Sequence, residues 1–345
     1  MQSFKIIERI RKASPDPVKY LRLNRAEFGS TYKIKNYDYN HYYPDINPLI
    51  KTASKFYNVK KDLIYIGLGA ESVIRDILLL YSLKKKKNCI GFNSPNFFMY
   101  KYYSKLFSYS QKEYLIIPDK IKHLSVQHIK KFIKKKKINF FTLVNPSHPF
   151  EKYWSLKEVE EIIKFCNKLN ITILIDEVYQ GIGSKSAIKL IKKYNNLIIL
   201  KSLSKASGLP GLRVGFAIST KKNIDELNTV RLAIELPENS IKEAVLHLKN
   251  YKKLIYPKIK MIYSAREYAH KQFKKRKIRS FGNYGNSVTF RFEDNINIKK
   301  VGDFLKKNKI IVNYQYPEPL DRYMNITTTN VKNLRYFFNI LNKIL

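Results

Sequence analysis

Short apolar runs alternate with amphipathic stretches through the middle of this 345-residue chain. The apolar runs predict strands at Cys89–Phe92, Tyr114–Pro118, Asn139–Val144, Thr172–Ile175, Leu197–Lys201 and Val214–Ser219. Apolar positions at helical spacing predict helices at Glu71–Leu83, Phe97–Phe107, Ser155–Leu169 and Lys185–Tyr194. This alternation is typical of an α/β fold in which helices cover a mostly parallel sheet.

The C-terminal part of the chain has a different pattern. A long helix at Pro257–Lys277 is followed by predicted strands near Ser287–Phe292, Ile310–Asn313 and Met324–Thr328, and by helices near Ile298–Lys307 and Val331–Leu345. We therefore predict a large α/β domain over residues 41–255 and a small α+β domain over residues 256–345. Residues 1–40 are predicted to form an N-terminal arm that completes the small domain. No low-complexity linker separates the two domains, so we expect them to pack closely.

Composition narrows the class of protein. Hydrophobic residues make up 44% of the chain, which is enough for a full core. Cys89 and Cys166 lie in apolar segments and are too few for a disulfide framework. The first residues lack the pattern of a signal peptide, and no stretch of about 20 residues is free of charge. We expect a cytoplasmic, reduced, globular protein that does not cross a membrane.

The net charge of +39, from 66 basic and 27 acidic residues, would suit a protein that binds nucleic acid or an anionic membrane. However, the abundant Lys, Ile, Asn, Tyr and Phe are all specified by A/T-rich codons, so genome bias explains the charge equally well. The densest runs, Lys84–Lys87 and Lys134–Lys137, each follow a helix-like segment, where cations favour the helix dipole. We expect neither nucleic acid nor membrane as a partner, whereas an anionic small ligand fits this charge.

The segment SLSKASGLPGLRVGF, from Ser202 to Phe216, carries the main chemical pattern. It follows a predicted strand and places Lys205 between two hydroxyls, Ser202 and Ser204, ahead of three glycines and Arg213. The hydroxyls can donate to phosphate oxygens, and the guanidinium can bind a phosphate through two hydrogen bonds. A lysine beside a cation and partly desolvated loses its proton more readily, so it can attack an aldehyde and form a Schiff base.

This segment resembles the lysine motif of the fold-type-I, class I and II, pyridoxal-phosphate-dependent aminotransferases, especially the histidinol-phosphate aminotransferase group. That group has serine or threonine, Leu-Ser-Lys, a small run, and then Gly-Leu-x-Gly-Leu-Arg-x-Gly. The resemblance extends in the same order over nearly the whole chain. It implies an aminotransferase in which Lys205 binds pyridoxal phosphate as a Schiff base and Ser202, Ser204 and Arg213 bind the cofactor phosphate.

Two further segments resemble cofactor-binding parts of the same family. In Ile173–Tyr179, Asp176 is similar to the acid beside the ring nitrogen, and Tyr179 to the residue that binds the phenolic oxygen. An anion there keeps the ring protonated and makes it a better electron sink. In Gly67–Ile74, the turn before a helix is similar to the family's phosphate-binding turn, which implies cofactor contacts from Ala70 and Glu71. A capping acid and an ordinary helix start are the alternatives that involve no cofactor.

Two aromatic segments complete the resemblance. Phe97, in Pro95–Tyr100, takes the place of the family's aromatic residue that stacks on the cofactor ring, and a core phenylalanine is the alternative. Tyr43, in Tyr42–Asp45, is similar to the tyrosine that reaches the cofactor phosphate of the neighbouring subunit, which implies a homodimer with shared active sites. Asn24–Gly29 matches the corresponding family segment only at its first and last residues.

Two departures from the family concern the cofactor and the substrate. The family loop Asn-Pro-Asn-Asn-Pro-Thr-Gly is here Asn145–Glu151, so His148 replaces the asparagine that donates to the phenolic oxygen. A histidine can still donate and can titrate near neutral pH. The alternatives are a loop histidine without a role, or Asn145 in the vacant place. The family's Leu-Arg-Ile-Thr is here Met324–Thr327, so Asn325 replaces the arginine that binds the substrate carboxylate.

An asparagine supplies neither the charge nor the two-pronged geometry of a guanidinium. Arg322 lies nearby in the sequence and is a candidate replacement, and Arg22 and Arg25 are candidate contacts to a substrate phosphate. The sequence therefore predicts an aminotransferase for a small phosphorylated or otherwise atypical amine donor or keto acceptor, with no metal site. A decarboxylase of a phosphorylated amino acid on the same scaffold is the alternative. A catalytically silent binding protein is disfavoured, because the lysine, acid, tyrosine and arginine are all present.

Overall fold

Twelve strands form three sheets in a computed structural model that describes residues 21–22, 43–84, 88–233 and 236–345. The strands are β1 (Leu21–Arg22), β2 (Ile64–Leu68), β3 (Cys89–Ser94), β4 (Ser110–Leu115), β5 (Phe140–Val144), β6 (Thr172–Asp176), β7 (Leu197–Ser202), β8 (Val214–Ile218), β9 (Arg279–Phe281), β10 (Ser287–Arg291), β11 (Ile310–Ile311) and β12 (Tyr323–Thr327).

The large sheet has seven strands in the order β2-β8-β7-β6-β5-β3-β4. Strand β8 runs antiparallel to both of its neighbours, and all other neighbouring pairs are parallel. The predicted α/β fold with a mostly parallel sheet is therefore confirmed. Because β5, β6 and β7 are parallel, their carboxyl ends lie at the same edge of the sheet, where α/β proteins bind their ligands.

Helices cover both faces of this sheet and pack against the C-terminal strands. The helices are α1 (Asn47–Tyr57), α2 (Gly69–Lys84), α3 (Phe98–Leu106), α4 (Val126–Lys135), α5 (Leu156–Lys168), α6 (Lys221–Asn228), α7 (Glu238–Lys249), α8 (Tyr251–Leu254), α9 (Tyr256–Lys275), α10 (Ile298–Lys307) and α11 (Val331–Leu341). None of the helices in the described ranges is both long enough and apolar enough to span a bilayer.

The central strands are buried on both faces. In β6, Ile173 and Ile175 belong to the core on one side of the sheet and Leu174 belongs to the core on the other. In the same way, Ile199 of β7 faces the first core and Ile198 the second. A strand with two buried faces needs apolar residues at successive positions, which explains the continuous apolar runs in the sequence.

The C-terminal part has its own core beneath an antiparallel sheet in the order β12-β10-β9. Phe273 of α9, Phe290 of β10 and Phe337 of α11 are fully buried and lie in one apolar cluster. Arg22 belongs to the short strand β1, which pairs in parallel with β11, so that Leu21 lies opposite Ile310. The division into domains at residue 255 stays a prediction.

Several local features differ from the sequence predictions. The helix at Lys185–Tyr194 is a short 3-10 helix at Ile188–Lys192, because the Glu177 carboxylate accepts the Ala187 N–H and so fixes a different backbone path. The strand predicted at Tyr114–Pro118 begins earlier and ends at Leu115, since Pro118 starts another 3-10 helix. The sequence analysis also gave no strand at β2, which extends the sheet beyond β8.

Candidate active site

Lys205, Asp176 and Tyr179 meet at the carboxyl edge of the large sheet. Asp176 is the last residue of β6, and Lys205 lies in the turn after the neighbouring strand β7. The Lys205 Nζ atom is 5.7 Å from the centre of the Tyr179 ring. The structure therefore places together three residues that are up to 29 positions apart in the sequence, because adjacent parallel strands end side by side.

The Asp176 carboxylate is buried, with 3% exposure, and its two oxygens have different donors. The Tyr100 hydroxyl donates to Oδ2 at 2.7 Å, and the Val178 N–H donates to Oδ1 at 3.0 Å. Burial raises the pKa of Asp176 to about 6, although both hydrogen bonds and the Lys205 charge act in the opposite direction. Such an acid can hold a protonated ring nitrogen beside it.

Tyr100 is a site residue that the sequence analysis did not identify as one. It is fully buried at the start of α3, and its hydroxyl lies between the helix and the end of β6. The signal in the sequence is its position in the segment Pro95–Tyr100, which also contains Phe97. A buried tyrosine needs a hydrogen-bond partner, and here that partner is Asp176.

The His148 ring stacks on the Tyr179 ring, with 4.6 Å between the centres and 22° between the planes. Its Nδ1 atom lies 3.3 Å from the Ser287 hydroxyl. Burial, together with the Lys205 charge, lowers the pKa of His148 to about 3. The expectation that this histidine titrates near neutral pH is therefore wrong for this environment. The neutral ring can donate from one nitrogen and accept at the other.

Asn145 does not take the place of the missing asparagine. Its amide Nδ2 donates to the Trp154 carbonyl at 2.9 Å, and its Oδ1 accepts the Trp154 N–H at 2.9 Å. Both polar ends of the side chain thus hold the backbone nine residues away. The alternative that Asn145 swings towards the cofactor position is not supported by these contacts.

Arg213 lies beside the N-terminal turn of α2. It has a left-handed backbone, with φ of 53°, and its Nη2 atom is 3.7 Å from the Glu71 carboxylate. A Cβ atom at Gly69, the first residue of α2, would lie 2.7 Å from that Nη2, so the guanidinium packs on bare backbone. Ala70 follows Gly69 in this turn, where backbone N–H groups lack partners within the helix and attract anions.

The two predicted phosphate-binding serines directly precede Lys205, at the end of β7 and in the turn that follows it. The Ser202 hydroxyl accepts the Ser204 N–H at 3.0 Å and donates to the Val214 carbonyl at 3.4 Å. Ser204 is buried. These bonds fix the turn that carries Lys205.

Phe97 and Tyr43 are exposed rather than packed in the site. The Phe97 side chain is 43% exposed, and the centres of the Phe97 and Phe98 rings are 5.5 Å apart, so the core interpretation of Phe97 is wrong. Tyr43 is 84% exposed. Only the backbone of Arg22 is described, and Arg25 and Asn24–Gly29 lie outside the described residues.

Asn325 points towards the His148 segment, and Arg322 does not take over the role of the family arginine. Asn325 is fully buried on β12, and its Nδ2 donates at 3.0 Å to both the Pro149 carbonyl and the Thr289 hydroxyl. The Arg322 guanidinium donates to the carbonyl of Glu293 and lies 3.5 Å from Asp294. The proposed substitution of Arg322 for the family arginine is therefore not supported by its contacts.

The residues at this edge fit pyridoxal phosphate. An amine and a buried carboxylate lie close together, as the aldehyde and the ring nitrogen of that cofactor require, and a guanidinium lies on a helix N-terminus, as a phosphate requires. Tyr100 donates a hydrogen bond to the Asp176 carboxylate. Gly69 has no side chain, so the Arg213 guanidinium has room beside the helix. The geometry suits exchange of the cofactor aldehyde between a lysine and an incoming amine.

Sequence comparison finds relatives over most of the chain. The profile of the aminotransferase class I and II family matches residues 2–286. The histidinol-phosphate aminotransferase of Caldanaerobacter subterraneus subsp. tengcongensis is 26% identical over 306 residues, which are 88% of this chain and 84% of that enzyme. The similarity thus covers the lysine motif, the acid at the end of β6 and the turn before α2 together.

Solved structures share the fold. The histidinol-phosphate aminotransferase of Clostridium acetobutylicum has a TM-score of 0.80, with 22% identity over 94% of this chain and 98% of that one. The Sinorhizobium meliloti enzyme in complex with pyridoxal-5'-phosphate has a TM-score of 0.78, with 16% identity over 88% and 84% of the two chains. The L-threonine-O-3-phosphate decarboxylase of Porphyromonas gingivalis has a TM-score of 0.75, with 14% identity over 94% and 98%. The same fold therefore occurs with both chemistries that the sequence left open.

Proposed function

The chain belongs to the aminotransferase class I and II family, and from this premise we propose that it uses pyridoxal phosphate, bound at Lys205, to aminate or deaminate a small phosphorylated or otherwise atypical substrate. The observation that carries the proposal is the meeting of Lys205, Asp176 and Tyr179 at the ends of neighbouring parallel strands. Family membership and the fit of these residues support the same cofactor.

The side chains of the site would each bind a different part of the cofactor. When bound, pyridoxal phosphate supplies an aldehyde that reacts with amines and a ring that takes up an electron pair from the substrate carbon. Asp176 would hold a proton on the ring nitrogen, and Arg213 with the start of α2 would bind the phosphate. Lys205 would bind the aldehyde carbon and, once an incoming amine has displaced it, its Nζ would move the proton at the substrate carbon.

His148 and Tyr179 would contact the phenolic oxygen of the cofactor. Burial keeps His148 neutral, so a single N–H donates and no positive charge is added beside the ring. The two rings are stacked, and each therefore limits the movement of the other. This arrangement supports a fixed donor in place of the family asparagine.

Asn325 supports an atypical substrate. Both amide hydrogens of Asn325 are used within the protein, on Pro149 and Thr289, so they are not directed at a substrate carboxylate. A carboxylate at this place would have no guanidinium to bind it. Substrates whose anionic group is a phosphate, or that lack the α-carboxylate, lose nothing by this replacement.

We also propose a homodimer that works in the cytoplasm and shares its active sites across the subunit interface. The exposure of Tyr43 supports this proposal, because an exposed tyrosine is free to enter a partner's site. Exposed apolar side chains close to the site, Leu68 and Phe97, would be covered in the same assembly. The free thiols of Cys89 and Cys166 suit a reducing compartment.

The proposal is tested with the absorbance spectrum of the purified protein and of Lys205→Ala, both with pyridoxal phosphate. We expect a visible band that depends on the lysine in the native protein only. A panel of phosphorylated amines and ordinary α-amino acids is then added. Bleaching of the band by a phosphorylated amine, and its return with a keto or aldehyde acceptor, is the expected result.

Other outcomes separate the alternatives. Release of carbon dioxide from a phosphorylated amino acid while the band persists would identify a decarboxylase instead. Bleaching only by ordinary α-amino acids would contradict the substrate class, and no band in either protein would contradict the proposed cofactor.

A further inference from the structure

The Glu151 carboxylate lies at the junction between the His148 segment and the loop before β10. Its oxygens accept backbone N–H groups of Asn283 at 2.5 Å, of Tyr284 at 3.0 and 2.9 Å, and of Gly285 at 2.6 Å. Three successive N–H groups that point at one anion form a binding concavity of the kind that proteins use for anions. The family pattern has a glycine at this position, which has no side chain to make these bonds.

The loop bound by Glu151 is fixed from its other side by helix α9. Arg266 donates from Nη1 to the Gly285 carbonyl at 2.6 Å. The His270 ring lies 2.7 Å from the Gly282 carbonyl through Nε2. Residues 282–285 are thus held by a long helix that has core contacts of its own. They therefore form a fixed attachment point for the Glu151 carboxylate.

The same stretch of chain contacts the His148 segment directly. Ser287, which begins β10, places its hydroxyl 3.3 Å from His148 Nδ1. Thr289 donates to the Pro149 carbonyl at 3.1 Å. Glu151 follows His148 by three residues, so both ends of the segment 148–151 are attached to residues 283–289. A ring stack between Tyr153 and Tyr284, with centres 3.9 Å apart, extends this contact beyond Glu151.

We infer that Glu151 is a positioning residue for the active site, which fixes the segment 148–151 to the loop 283–285 and thereby keeps the His148 ring stacked on Tyr179 near Lys205. Burial raises the pKa of the Glu151 carboxyl, whereas the three N–H groups and the nearby Arg266 act in the opposite direction and favour the carboxylate form. The inference rests on the proposed function only for the contact between His148 and the cofactor. The position of the His148 ring is measurable without the cofactor.

The test compares the native protein with Glu151→Gln in the full chain without cofactor. The ring protons of His148 are followed by NMR during a pH titration and are identified by their loss in His148→Asn. The glutamine carries no charge and places an amide NH2 among N–H donors. We expect the pKa of His148 to rise by about one unit or more from its value of about 3, because a loosened ring becomes hydrated. We also expect faster amide exchange at residues 283–285.

Glu158→Gln is the matched control. Its carboxylate also accepts a backbone N–H, that of Ser155 at 2.8 Å, but it lies at the start of α5 and makes no contact of this kind with the loop 283–285. We expect this variant to lose stability without any change in the His148 titration. If Glu151 had a purely structural role, Glu151→Gln would also lose stability without any change in the His148 titration.

An unchanged His148 titration in Glu151→Gln, with faster exchange at residues 283–285, would overturn the inference. If Glu151→Gln does not fold, Glu151→Asp, which keeps the charge on a shorter side chain, replaces it, and a smaller rise of the pKa is expected there. An unchanged titration in the folded aspartate variant would overturn the inference as well. If the native protein binds no pyridoxal phosphate but Glu151→Gln shows the expected shifts, the proposed function is contradicted and the role of Glu151 stands.

Discussion

The Tyr100 hydroxyl controls how much of the Asp176 carboxyl is ionised near neutral pH. The hydroxyl is one of two hydrogen-bond donors to the buried carboxyl. Burial raises the pKa of Asp176 to about 6, and the bond from Tyr100 keeps the pKa from rising further. An ionised Asp176 is the form that can pair with a protonated ring nitrogen. The hydroxyl therefore acts on the cofactor through the acid rather than by touching the cofactor itself.

Tyr100→Phe should weaken cofactor binding more at low pH than at high pH. Loss of the donor raises the pKa of Asp176 further, so the cofactor has to displace a proton when it binds below that pKa. A rise of one unit, from about 6 to about 7, corresponds to about a fivefold loss of affinity at pH 6, which approaches tenfold below pH 5 and disappears towards pH 8.5. Fluorescence titration of the apoprotein with pyridoxal phosphate at several pH values measures this. Tyr109→Phe, which removes a buried hydroxyl on the Leu78 carbonyl, is the control, and an equal loss at every pH in Tyr100→Phe would refute the argument.

His148→Asn should remove part of the acid sensitivity of the fold. An ordinary histidine titrates near 6.5, whereas burial lowers the pKa of His148 to about 3. The unfolded chain therefore takes up this proton before the native protein does, so the stabilisation is complete above pH 6.5 and decreases as the pH falls towards 3. At pH 5 the native protein loses about 2 kcal/mol of its free energy of unfolding through this protonation, and the asparagine variant does not.

Urea unfolding of the cofactor-free protein at pH 5 and pH 8 measures this difference. The stability gap between native and His148→Asn should change between the two pH values by about that amount. His123→Asn, a change at an exposed position, is the control. A constant gap would mean that the ring is hydrated in solution and not buried as described.

At the scale of elements, the close approach of β8 to the start of α2 shapes the predicted phosphate site. A Cβ at Gly215 would lie 2.4 to 2.6 Å from backbone atoms of Gly69 and Ala70, so the helix would have to move away from Arg213. Gly215→Ala should therefore lower cofactor affinity at least about tenfold and destabilise the protein by about 1–3 kcal/mol. Gly211→Ala, where a Cβ meets nothing within 4 Å, is the matched control and should change neither. Equal effects of both changes in binding and melting experiments would argue against the close approach.

The elements that the sequence predicted well are those whose pattern depends on burial. Strands β6 and β7 are buried on both faces, and helix α10 was predicted with its observed bounds, Ile298–Lys307, because one face is apolar. The edge strand β4 was misplaced, since only one of its six residues is buried and the strand carries no apolar alternation. The segment after Lys185 was mistaken for a helix because its shape depends on Glu177, a residue distant from that pattern.

The residues of the candidate site also differ in how far the sequence predicts them. Lys205 could be singled out from the segment Ser202–Phe216, and Asp176 and Tyr179 from the segment Ile173–Tyr179, because both segments carry recognisable patterns. Glu151 could not, because its partners are backbone N–H groups more than 130 residues away, and a backbone N–H leaves no trace in a sequence. Tyr100 lies in the segment Pro95–Tyr100, from which only Phe97 was predicted as a site residue, and its hydrogen bond to Asp176 is what assigns it to the site.

At the scale of the whole molecule, the proposed sharing of active sites between subunits makes a specific prediction about mixed dimers. Lys205→Ala and Tyr43→Ala should each lose activity, the second by at least about tenfold if Tyr43 serves the partner's site. In a mixed dimer, one site then has both changes and the other has neither. Random exchange between the two variants should restore about a quarter of the native activity.

The mixing experiment has a direct control. Each variant is also mixed with itself under the same conditions of unfolding and refolding, and neither mixture should gain activity. No recovery in the mixture of the two variants, despite dimers seen by ultracentrifugation, would place Tyr43 in its own subunit's site.

The pairing of β1 with β11 has a consequence for the making of the protein in the cell. Leu21 pairs with Ile310, which is 289 residues later in the chain, so a ribosome has to complete most of the protein before this partner exists. At translation rates of about 5–20 residues per second, the interval lasts on the order of tens of seconds. During that time the beginning of the chain has to be kept from wrong partners, and a slow stretch of translation or a bound chaperone would act there with the greatest effect on yield.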